Sequence, residues 1–400
     1  MSLPTDLARE VADRVEQPGF DVVLDRAREG RRRRRRTALV SGLAAVCVVG
    51  GLAWGTGRGS DPGPDPAGPT RSQAPTEITG SVDPDLPADV HELLSEERTD
   101  PWVVSGSGGA LAAIWAGCDD AGACHSALVS RLGERLSARI LPDATQPRLQ
   151  PVPGGWLVET DEGFTRVTPE GEDLPVLDPG GNAYDVQAGD TAVETSRGWL
   201  LLRGDKLVPV PVPDGEPVRA AYVTPAGRLV VAVERGSGLI VAATDEGVEW
   251  DFTHMTRTTE RVAGAVLAGH GDHVAVALLG DDPDGSIPVV QVGVSGDAGA
   301  TWETASGREL PFGGPGDLAD LSGLAVSDEG TAWLTTGTAG LVRVDADANV
   351  VATRLSSHDR GVFLVVHRVC LVTERGRYDV LSCSDDDGTS WVTQALPGLQ

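Results

Sequence analysis

One stretch in the second half of the chain decides the fold: RAAYVTPAGRLVVAVERGSGLIVAATDEGVEWDFTHM, residues 219–255. It contains three apolar segments of strand length and a fourth, shorter one, separated by turns rich in Gly, Pro and Asp. Further units of this form recur at intervals of about forty residues. The clearest begin near Val218, Val262, Leu318 and Gly361, and weaker ones fit residues 102–142, 147–177 and 183–214.

Four short strands repeated at this interval predict a β-propeller, in which each small twisted sheet buries both faces against its neighbours. The units predict seven blades, with six or eight as open alternatives. Two stacked sandwiches would also contain many short strands, but they would not give a regular period. The sequence thus predicts an all-β, seven-bladed propeller over residues 86–400. A short amphipathic helix within residues 86–97 would open it, with one apolar face formed by Leu86, Val90, Leu93 and Leu94.

Two turns share a specific motif, S-x-D-x-G-x-T-W. The turn SGDAGATW matches every fixed position: Ser295, Asp297, Gly299, Thr301 and Trp302. The turn SDDDGTSW matches with a serine in place of the threonine: Ser384, Asp386, Gly388, Ser390 and Trp391. A third turn, ATDEGVEW, lacks both hydroxyls and keeps Asp245, Gly247 and Trp250.

Each residue of the motif has a structural reason. The Asp carboxylate accepts backbone N–H groups, the Gly supplies a positive φ, and the hydroxyl ties down the returning strand. The Trp is expected to bury a large apolar area between blades while its N–H reaches a carbonyl. The motif therefore predicts stable hairpins between the last two strands of a blade and assigns no chemistry to Asp297 or Asp386.

These turns and the repeat over residues 100–400 resemble the Asp-box propellers: bacterial neuraminidase repeats, sortilin-type receptors and photosystem II assembly-factor propellers. The phrase GLAVSDEGTAWLTTGTAGLVRV, residues 323–344, is similar to the assembly-factor type. The resemblance implies a propeller and, through its neuraminidase members, a sialidase-like glycoside hydrolase as an alternative function.

A sialidase needs three arginines for the substrate carboxylate, a Tyr nucleophile activated by a Glu, and an Asp acid/base. The Phe/Tyr-Arg-Ile-Pro motif that supplies one of these arginines does not occur in the sequence. The three tyrosines, Tyr184, Tyr222 and Tyr378, fit strand positions, and the pair Tyr378 and Glu374 flanks a turn at a blade rim. We therefore predict no catalytic residue and no cofactor, and a non-enzymatic role is favoured.

Two acidic or histidine-rich turns are the candidate metal sites. His270 and His273 enclose Asp272, and residues 280–286 cluster three carboxylates. Neither has the ligand spacing of a zinc or EF-hand site, so an exposed turn and an acidic hairpin loop are the favoured interpretations. The sequence predicts no metal site.

Charge and hydropathy divide the first part of the chain. Residues 1–36 end in six arginines, Arg31 to Arg36, and residues 37–57 contain an uncharged apolar run long enough to span a membrane. Basic residues on one side predict a cytoplasmic arm, one transmembrane helix and an extracellular C-terminal domain in the cell membrane. The Pro- and Gly-rich residues 58–85 predict a flexible stalk. The formal net charge of -26 disfavours nucleic acid as a partner.

Four cysteines follow the apolar run, and an even number in an exported domain predicts two disulfides. Cys118 and Cys124 bracket a turn, as do Cys370 and Cys383, which favours pairing within each hairpin. The alternative pairing joins the first blade to the seventh.

These observations predict a membrane-anchored extracytoplasmic propeller that binds a protein or glycan ligand without catalysis. One alternative is the sialidase-like hydrolase. The other is a transmembrane regulator whose cytoplasmic arm, residues 1–36, binds a transcription-related partner.

Overall fold

The computed structural model describes residues 78–400 with gaps at 79, 97–98, 119–123, 143–146, 178–184, 236–237, 254, 256–261, 281–287, 311–320, 337–339, 353–358, 366, 376–377 and 387. The predicted arm, transmembrane helix and most of the predicted stalk lie outside these residues. Within the described part of the chain, no helix combines the length and the apolar character needed to span a membrane.

The described strands form seven antiparallel sheets, the blades, each made of consecutive strands. Blade 1 contains β1 Asp100–Ser107, β2 Ala110–Cys118, β3 Cys124–Leu132 and β4 Arg135–Leu141. Blade 2 contains β5 Arg148–Val152, β6 Gly155–Thr160, β7 Gly163–Val167 and β8 Asp173–Pro175. Blade 3 contains β9 Thr191–Thr195, β10 Gly198–Arg203 and β11 Lys206–Pro209. Blade 4 contains β12 Val218–Val223, β13 Leu229–Arg235, β14 Gly238–Thr244 and β15 Asp251–Thr253.

Blade 5 contains β16 Val262–His270, β17 His273–Gly280, β18 Val289–Ser295 and β19 Glu303–Ser306. Blade 6 contains β20 Leu321–Val326, β21 Ala332–Thr336, β22 Gly340–Val344 and β23 Val350–Ala352. Blade 7 contains β24 Asp359–Val365, β25 Arg368–Arg375, β26 Tyr378–Ser384 and β27 Val392–Ala395. The described helical elements are α1 and two 3-10 turns: Ala88–Ser95, Pro213–Gly215 and Gly307–Glu309.

The blades close into a ring around a central channel. First strands of successive blades contact one another, β24 contacts β1, and β9 contacts both β5 and β12. The prediction of a seven-bladed all-β propeller is therefore confirmed. Because each blade is an up-and-down meander, the first strands of the blades all begin on the same face of the ring, here called the entry face. The hairpins between strands 1 and 2 and between strands 3 and 4 lie on the opposite face, here called the turn face.

Blade 3 differs from the predicted four-strand unit. Among its described residues, 185–190 form a turn, closed by the Asp190 N–H donating to the Gln187 carbonyl (3.1 Å), and they add no first strand. This turn lies beside Gly227, in the corresponding turn of blade 4. We therefore assign β9, β10 and β11 to the second, third and fourth positions of this blade.

Two terminal segments close the seam between blades 1 and 7. Residues 80–83, which the sequence assigns to the stalk, form backbone hydrogen bonds of 2.9–3.0 Å with residues 398–400. The predicted amphipathic helix is present as α1, Ala88–Ser95. Its apolar face packs into a cluster with residues of both blades, among them Trp115 and Leu396. The Trp115 Nε1–H donates to the Pro397 carbonyl at 2.9 Å.

The core consists of the apolar faces between adjacent blades. Trp156 and Trp333 are fully buried there. Trp302 and Trp391, expected to be buried, are only half-buried, because each lies in a hairpin at the turn face and covers the edge of the preceding blade.

Candidate ligand-binding mouth

Five of the first strands contain a β-bulge close to the entry face, at the third residue of β1 and at the second residue of the other four strands. In β1 the pairing steps from Pro101 to Val103, so Trp102 is the extra residue. Bulges re-aim side chains and are common beside functional sites. The equivalent extra residues in β12, β16, β20 and β24 are Arg219, Ala263, Ser322 and Arg360.

The bulged residues whose side chains are described, Trp102, Arg219 and Ala263, are all exposed. Trp102 is 58% exposed, an unusual value for a tryptophan on an inner propeller strand. The bulges therefore turn these side chains out of the packed blades and towards the channel opening on the entry face.

A cavity of about 550 Å³ lies at this opening, which we call the entry mouth. The first strands β1, β5, β12 and β16 form most of its walls. In blade 3, where no first strand is described, β9 and β10 line the cavity instead. The charged, amide-bearing and tryptophan residues of its lining are Trp102, Arg148, Gln150, Glu194, Trp199 and Arg219.

Both arginines of the mouth are held by glutamates. The Arg148 Nη1–H donates to Glu194 Oε1 at 3.2 Å, and the Arg219 Nε–H donates to Glu234 Oε2 at 3.2 Å. All four side chains are about half exposed, so these ion pairs contribute little to stability. Their effect is to fix where the two guanidinium groups point.

The inner edge of β9 is capped by a side-chain amide. The Gln150 Oε1 accepts the Glu194 N–H at 2.7 Å, and the Gln150 Nε2–H donates to the Glu194 carbonyl. The amide thus occupies the hydrogen-bonding place of a neighbouring strand. On the next strand, the Trp199 Nε1–H donates to the Arg219 carbonyl at 3.1 Å, which links blade 3 to blade 4.

A second hollow of about 400 Å³ lies on the other side of Trp102, between blades 1 and 7. Its lining includes Val104, Phe363, Val372 and the charged Asp379. The side chains of Val103 and Val362, whose residues also line it, pack towards blades 2 and 6. Trp102 therefore lines both the entry mouth, which contains the two arginines, and this second hollow.

The two motif turns, residues 295–302 and 384–391, have the same hydrogen bonds. Asp297 Oδ1 accepts the Thr301 N–H (2.8 Å), its Oδ2 accepts the Thr301 hydroxyl (2.6 Å), and Ser295 Oγ accepts the Gly299 N–H (2.9 Å). The second turn repeats these contacts at 2.8, 2.6 and 2.8 Å through Asp386, Ser390, Ser384 and Gly388.

Each turn also contacts the preceding blade. Gly299 and Gly388 have φ of 82° and 78°, and a Cβ at either position would meet Val230 or Trp333. The Trp302 and Trp391 Nε1–H groups donate back to these glycine carbonyls at 3.0 and 3.1 Å. Both turns lie on the turn face, opposite the entry mouth.

The partial motif at Trp250 is arranged differently. Asp245 turns outward and accepts from the Arg228 Nη1–H at 3.0 and 2.9 Å, while Thr244 Oγ1 accepts the Gly247 N–H at 2.9 Å. Without hydroxyls at the two motif positions, the carboxylate pairs with a neighbouring strand instead of closing its own turn.

The structure contains two disulfides, Cys118–Cys124 and Cys370–Cys383. Each joins residues directly opposite one another on adjacent strands. The prediction of disulfides is confirmed, with pairing inside hairpins and not between blades 1 and 7.

The histidine turn lies on the turn face, between β16 and β17. His270 Nε2 approaches Asp328 Oδ1 at 2.8 Å, and His367 contacts the other oxygen of the same carboxylate. Among the described residues, no three His, Cys, Asp or Glu side chains converge on one point that would hold a metal ion. Most of the acidic loop 280–286 lies outside the described residues.

The two described tyrosines lie on different faces: Tyr222 on the turn face and Tyr378 on the entry face, one residue before Asp379 of the second hollow. The half-buried Tyr222 donates its hydroxyl to the Gly271 carbonyl at 3.0 Å, on the turn face. Burial, together with the negative charge of Asp272, raises the pKa of Tyr222 to about 12. Tyr378 begins the third strand of blade 7, and Tyr184 lies outside the described residues.

Sequence reasoning did not identify the mouth residues as a site. Trp102, Arg148 and Arg219 belong to three different repeat units, and a single unit gives no sign that they meet. The only signal in the sequence was position: Trp102 is the third residue of β1 and Arg219 is the second residue of β12, so both lie near the start of a first strand.

No protein-family model matches the chain, and no curated protein matches it. Solved structures do match. The β-propeller domain of the Trilobed protease from Pyrococcus furiosus is 10% identical, with a TM-score of 0.47, over 72% of this chain and 94% of that chain.

A puromycin-hydrolysing peptidase from Mycobacterium tuberculosis is 13% identical, with a TM-score of 0.47, over 82% of this chain and 58% of that chain. The NanB sialidase from Streptococcus pneumoniae is 10% identical in one of its structures, with a TM-score of 0.34, over 76% of this chain and 68% of that chain. These likenesses concern the propeller fold and carry no argument about activity or ligand.

Proposed function

We propose that this chain is a membrane-anchored extracytoplasmic propeller that binds a protein or glycan ligand at the entry mouth and catalyses no reaction. The observation that carries the proposal is the exposed Trp102 on a β-bulge, beside a cavity that contains Arg148 and Arg219. Tryptophan and arginine are the residues most enriched at binding hot spots. Holding a large apolar ring in water is unfavourable unless a partner covers it.

The arginines also prompt the alternative of a sialidase-type hydrolase, because such an enzyme binds its substrate through arginines. A covalent route needs a tyrosine at the same site, activated by a carboxylate. Tyr222 donates its hydroxyl to a backbone carbonyl on the opposite face. Tyr378 begins the third strand of blade 7 on the entry face, two strands outward from the first strand that lines the channel. These placements favour binding without chemistry.

Anchoring rests on the sequence of residues 31–57, where six arginines precede an uncharged apolar run. We expect protease added to intact spheroplasts to remove the propeller and spare the arm. Protection of the propeller would contradict the proposed topology.

The binding proposal is tested by affinity capture from cell envelopes with the full chain as bait. The Trp102→Ala variant should lose the captured ligand. Phe252→Ala removes an aromatic ring that is 39% exposed on an outer strand, and this control should keep the ligand. Equal capture by both variants would contradict a site at the entry mouth.

A further inference from the structure

Blades 1 and 7 meet without a covalent connection. They contain the first and the last strands of the ring, so no connecting segment of the chain runs directly from one to the other. Residues 80–95, which precede β1 and include α1, cover this junction, and we call them the strap. The contacts of the strap therefore decide how firmly the ring is closed.

The strap binds the residues that follow blade 7. Three backbone hydrogen bonds of 2.9–3.0 Å join residues 80–83 to residues 398–400. The helix of the strap packs against the same segment, because a Cβ at Gly398 would lie only 2.7 Å from Leu94 Cδ2. The strap and the C-terminal residues are thus docked as one unit.

One guanidinium of blade 1 holds both parts of this unit. The Arg131 Nη2–H donates to the Leu399 carbonyl at 3.1 Å, and the same nitrogen lies 3.5 Å from Asp83 Oδ2. The Arg131 and Asp83 side chains are only 26% and 15% exposed, so salt screens this ion pair less than one on the open surface. Arg131 therefore fixes the strap and the C-terminal residues to β3.

The end of the strap is connected to the start of β1 through Thr99. The Thr99 hydroxyl donates to the Leu93 carbonyl at 2.7 Å, and the Thr99 N–H donates to the Glu96 carbonyl at 3.1 Å. A Cβ at Gly117 of β2 would lie 2.5 Å from Thr99 Oγ1, so Thr99 is packed closely against blade 1. Strand β1 begins at the next residue, and Trp102 is its third residue.

A second connection to Trp102 runs through Trp115. The Trp115 Nε1–H donates to the Pro397 carbonyl at 2.9 Å, and Trp115 is the cross-strand partner of Pro101, the residue before Trp102. If the C-terminal residues moved away, this buried indole N–H would lose its acceptor, which is unfavourable. We therefore expect Trp115 and the start of β1 to move when the strap leaves.

We propose that the strap detaches and redocks reversibly, and that its docking sets the position of Trp102 at the entry mouth. A chain segment held by a few backbone hydrogen bonds and one small helix opens at a lower free energy than the whole fold. When it opens, both connections to the start of β1 are lost together. This inference goes beyond the proposed function and holds whatever the mouth binds, so either can fail without the other.

The test is fluorine NMR of the full chain in detergent micelles, with fluorotryptophan in place of tryptophan. Resonances that disappear in Trp102→Phe, Trp115→Phe and Trp333→Phe identify reporters for the mouth, the strap and the fully buried core beside blade 6. On warming the unmodified chain, the Trp102 and Trp115 resonances should change with one common midpoint. That midpoint should lie below the temperature at which the Trp333 resonance reports global unfolding.

Two substitutions should release the strap more easily. Leu94→Ala empties a buried site of α1 and should raise the released fraction at both reporters by at least about tenfold. Arg131→Gln removes the charged donor and should act in the same direction with a smaller effect. Glu92→Ala, on the exposed side of the same helix, is the matched control and should leave both reporters unchanged.

Two results would overturn the inference. A change at Trp115 in Leu94→Ala without a matching change at Trp102 would show that the strap leaves without moving the mouth. Equal midpoints for Trp115 and Trp333 in the unmodified chain would show that the strap opens only when the whole fold does. This second comparison needs no substitution in the strap, so it decides the question even if Leu94→Ala does not fold.

Discussion

A pair of hydroxyl groups decides where an aspartate carboxylate points in the outer hairpins. Asp297 and Asp386 each have a serine two residues before and a hydroxyl four residues after, and both carboxylates close their own turns. Asp245 has neither hydroxyl in the equivalent places and pairs with Arg228 instead. The molecule thus contains its own comparison for the role of the motif.

This contrast gives the first prediction. Asp297→Ala should lower the free energy of unfolding by about 1–2 kcal/mol, because the Thr301 N–H and hydroxyl lose a charged acceptor. The control Asp245→Ala should cost about 0–1 kcal/mol, as expected for an exposed ion pair. Denaturant unfolding of both variants measures the difference. Equal losses would show that the hydrogen bonds of the turn are not the cause.

The same carboxylates give a pH dependence. Burial pushes the pKa of Asp297 upward, but hydrogen bonds from Thr301 and Ser295 outweigh it and leave the pKa lowered. Hydrogen bonds from Ser390 lower the pKa of Asp386. Because each pKa is lower in the folded protein than in the unfolded chain, the ionised carboxylates stabilise the folded state at pH values above the unfolded-state pKa of about 3.9. This contribution to the free energy of unfolding is lost as the pH falls through the folded-state pKa values.

Unfolding measured from neutral pH to below pH 3 should therefore show stability falling through the acid range. The double variant Asp297→Asn, Asp386→Asn should be less stable at neutral pH and show a shallower fall. An unchanged acid profile in that variant would contradict the role assigned to these two groups.

At the scale of elements, α1 and the paired terminal segments close the ring. Each blade consists of consecutive strands, so no strand of blade 7 is shared with blade 1. The seam depends on the backbone hydrogen bonds between residues 80–83 and 398–400 and on side-chain packing, in which Val90, Leu93 and Leu94 join the cluster of both blades.

Leu93→Ala should therefore lower the free energy of unfolding by about 2–5 kcal/mol, the usual cost of emptying a buried leucine site. Glu92→Ala, on the exposed side of the same helix, should change it by less than about 0.5 kcal/mol. Denaturant unfolding compares the two. A small loss for Leu93→Ala would mean that the ring closes without the helix.

The elements also show where sequence reasoning stops. Apolar alternation and Gly/Asp turns predicted the units that begin near Val218 and Val262, and β12 and β16 begin at those residues. The bulges at Trp102 and Arg219 were not predictable, because register depends on the partner strand and not on the strand alone. Blade 3 was taken as four strands for a related reason: its sequence resembles the other units, while its described residues form three strands.

At the scale of the molecule, the repeat predicted the ring of blades, and the hairpin spacing predicted both disulfides. The entry mouth could not be predicted, since it is assembled from Arg148, Trp102 and Arg219, which are far apart in the chain. Such a site exists only once the ring has closed.

A second consequence at this scale concerns activity. The full chain should release no fluorogenic aglycone from sialosides between about pH 4 and pH 8, the range in which carboxylate and histidine catalysts work. Turnover that survives purification and disappears in Arg148→Gln or Arg219→Gln would show that the mouth is an active site. Turnover unaffected by these substitutions would point to a contaminating enzyme.

The central claim is that the propeller binds its ligand at the entry mouth. The most direct measurement places a photo-crosslinking amino acid at position 102 of the full chain in living cells, with position 248 as the control. Val248 is 70% exposed in the hairpin that precedes the outer strand of blade 4. We expect a discrete crosslinked product from position 102 and none from position 248. A product from position 248 alone, or the same products from both positions, would contradict the account.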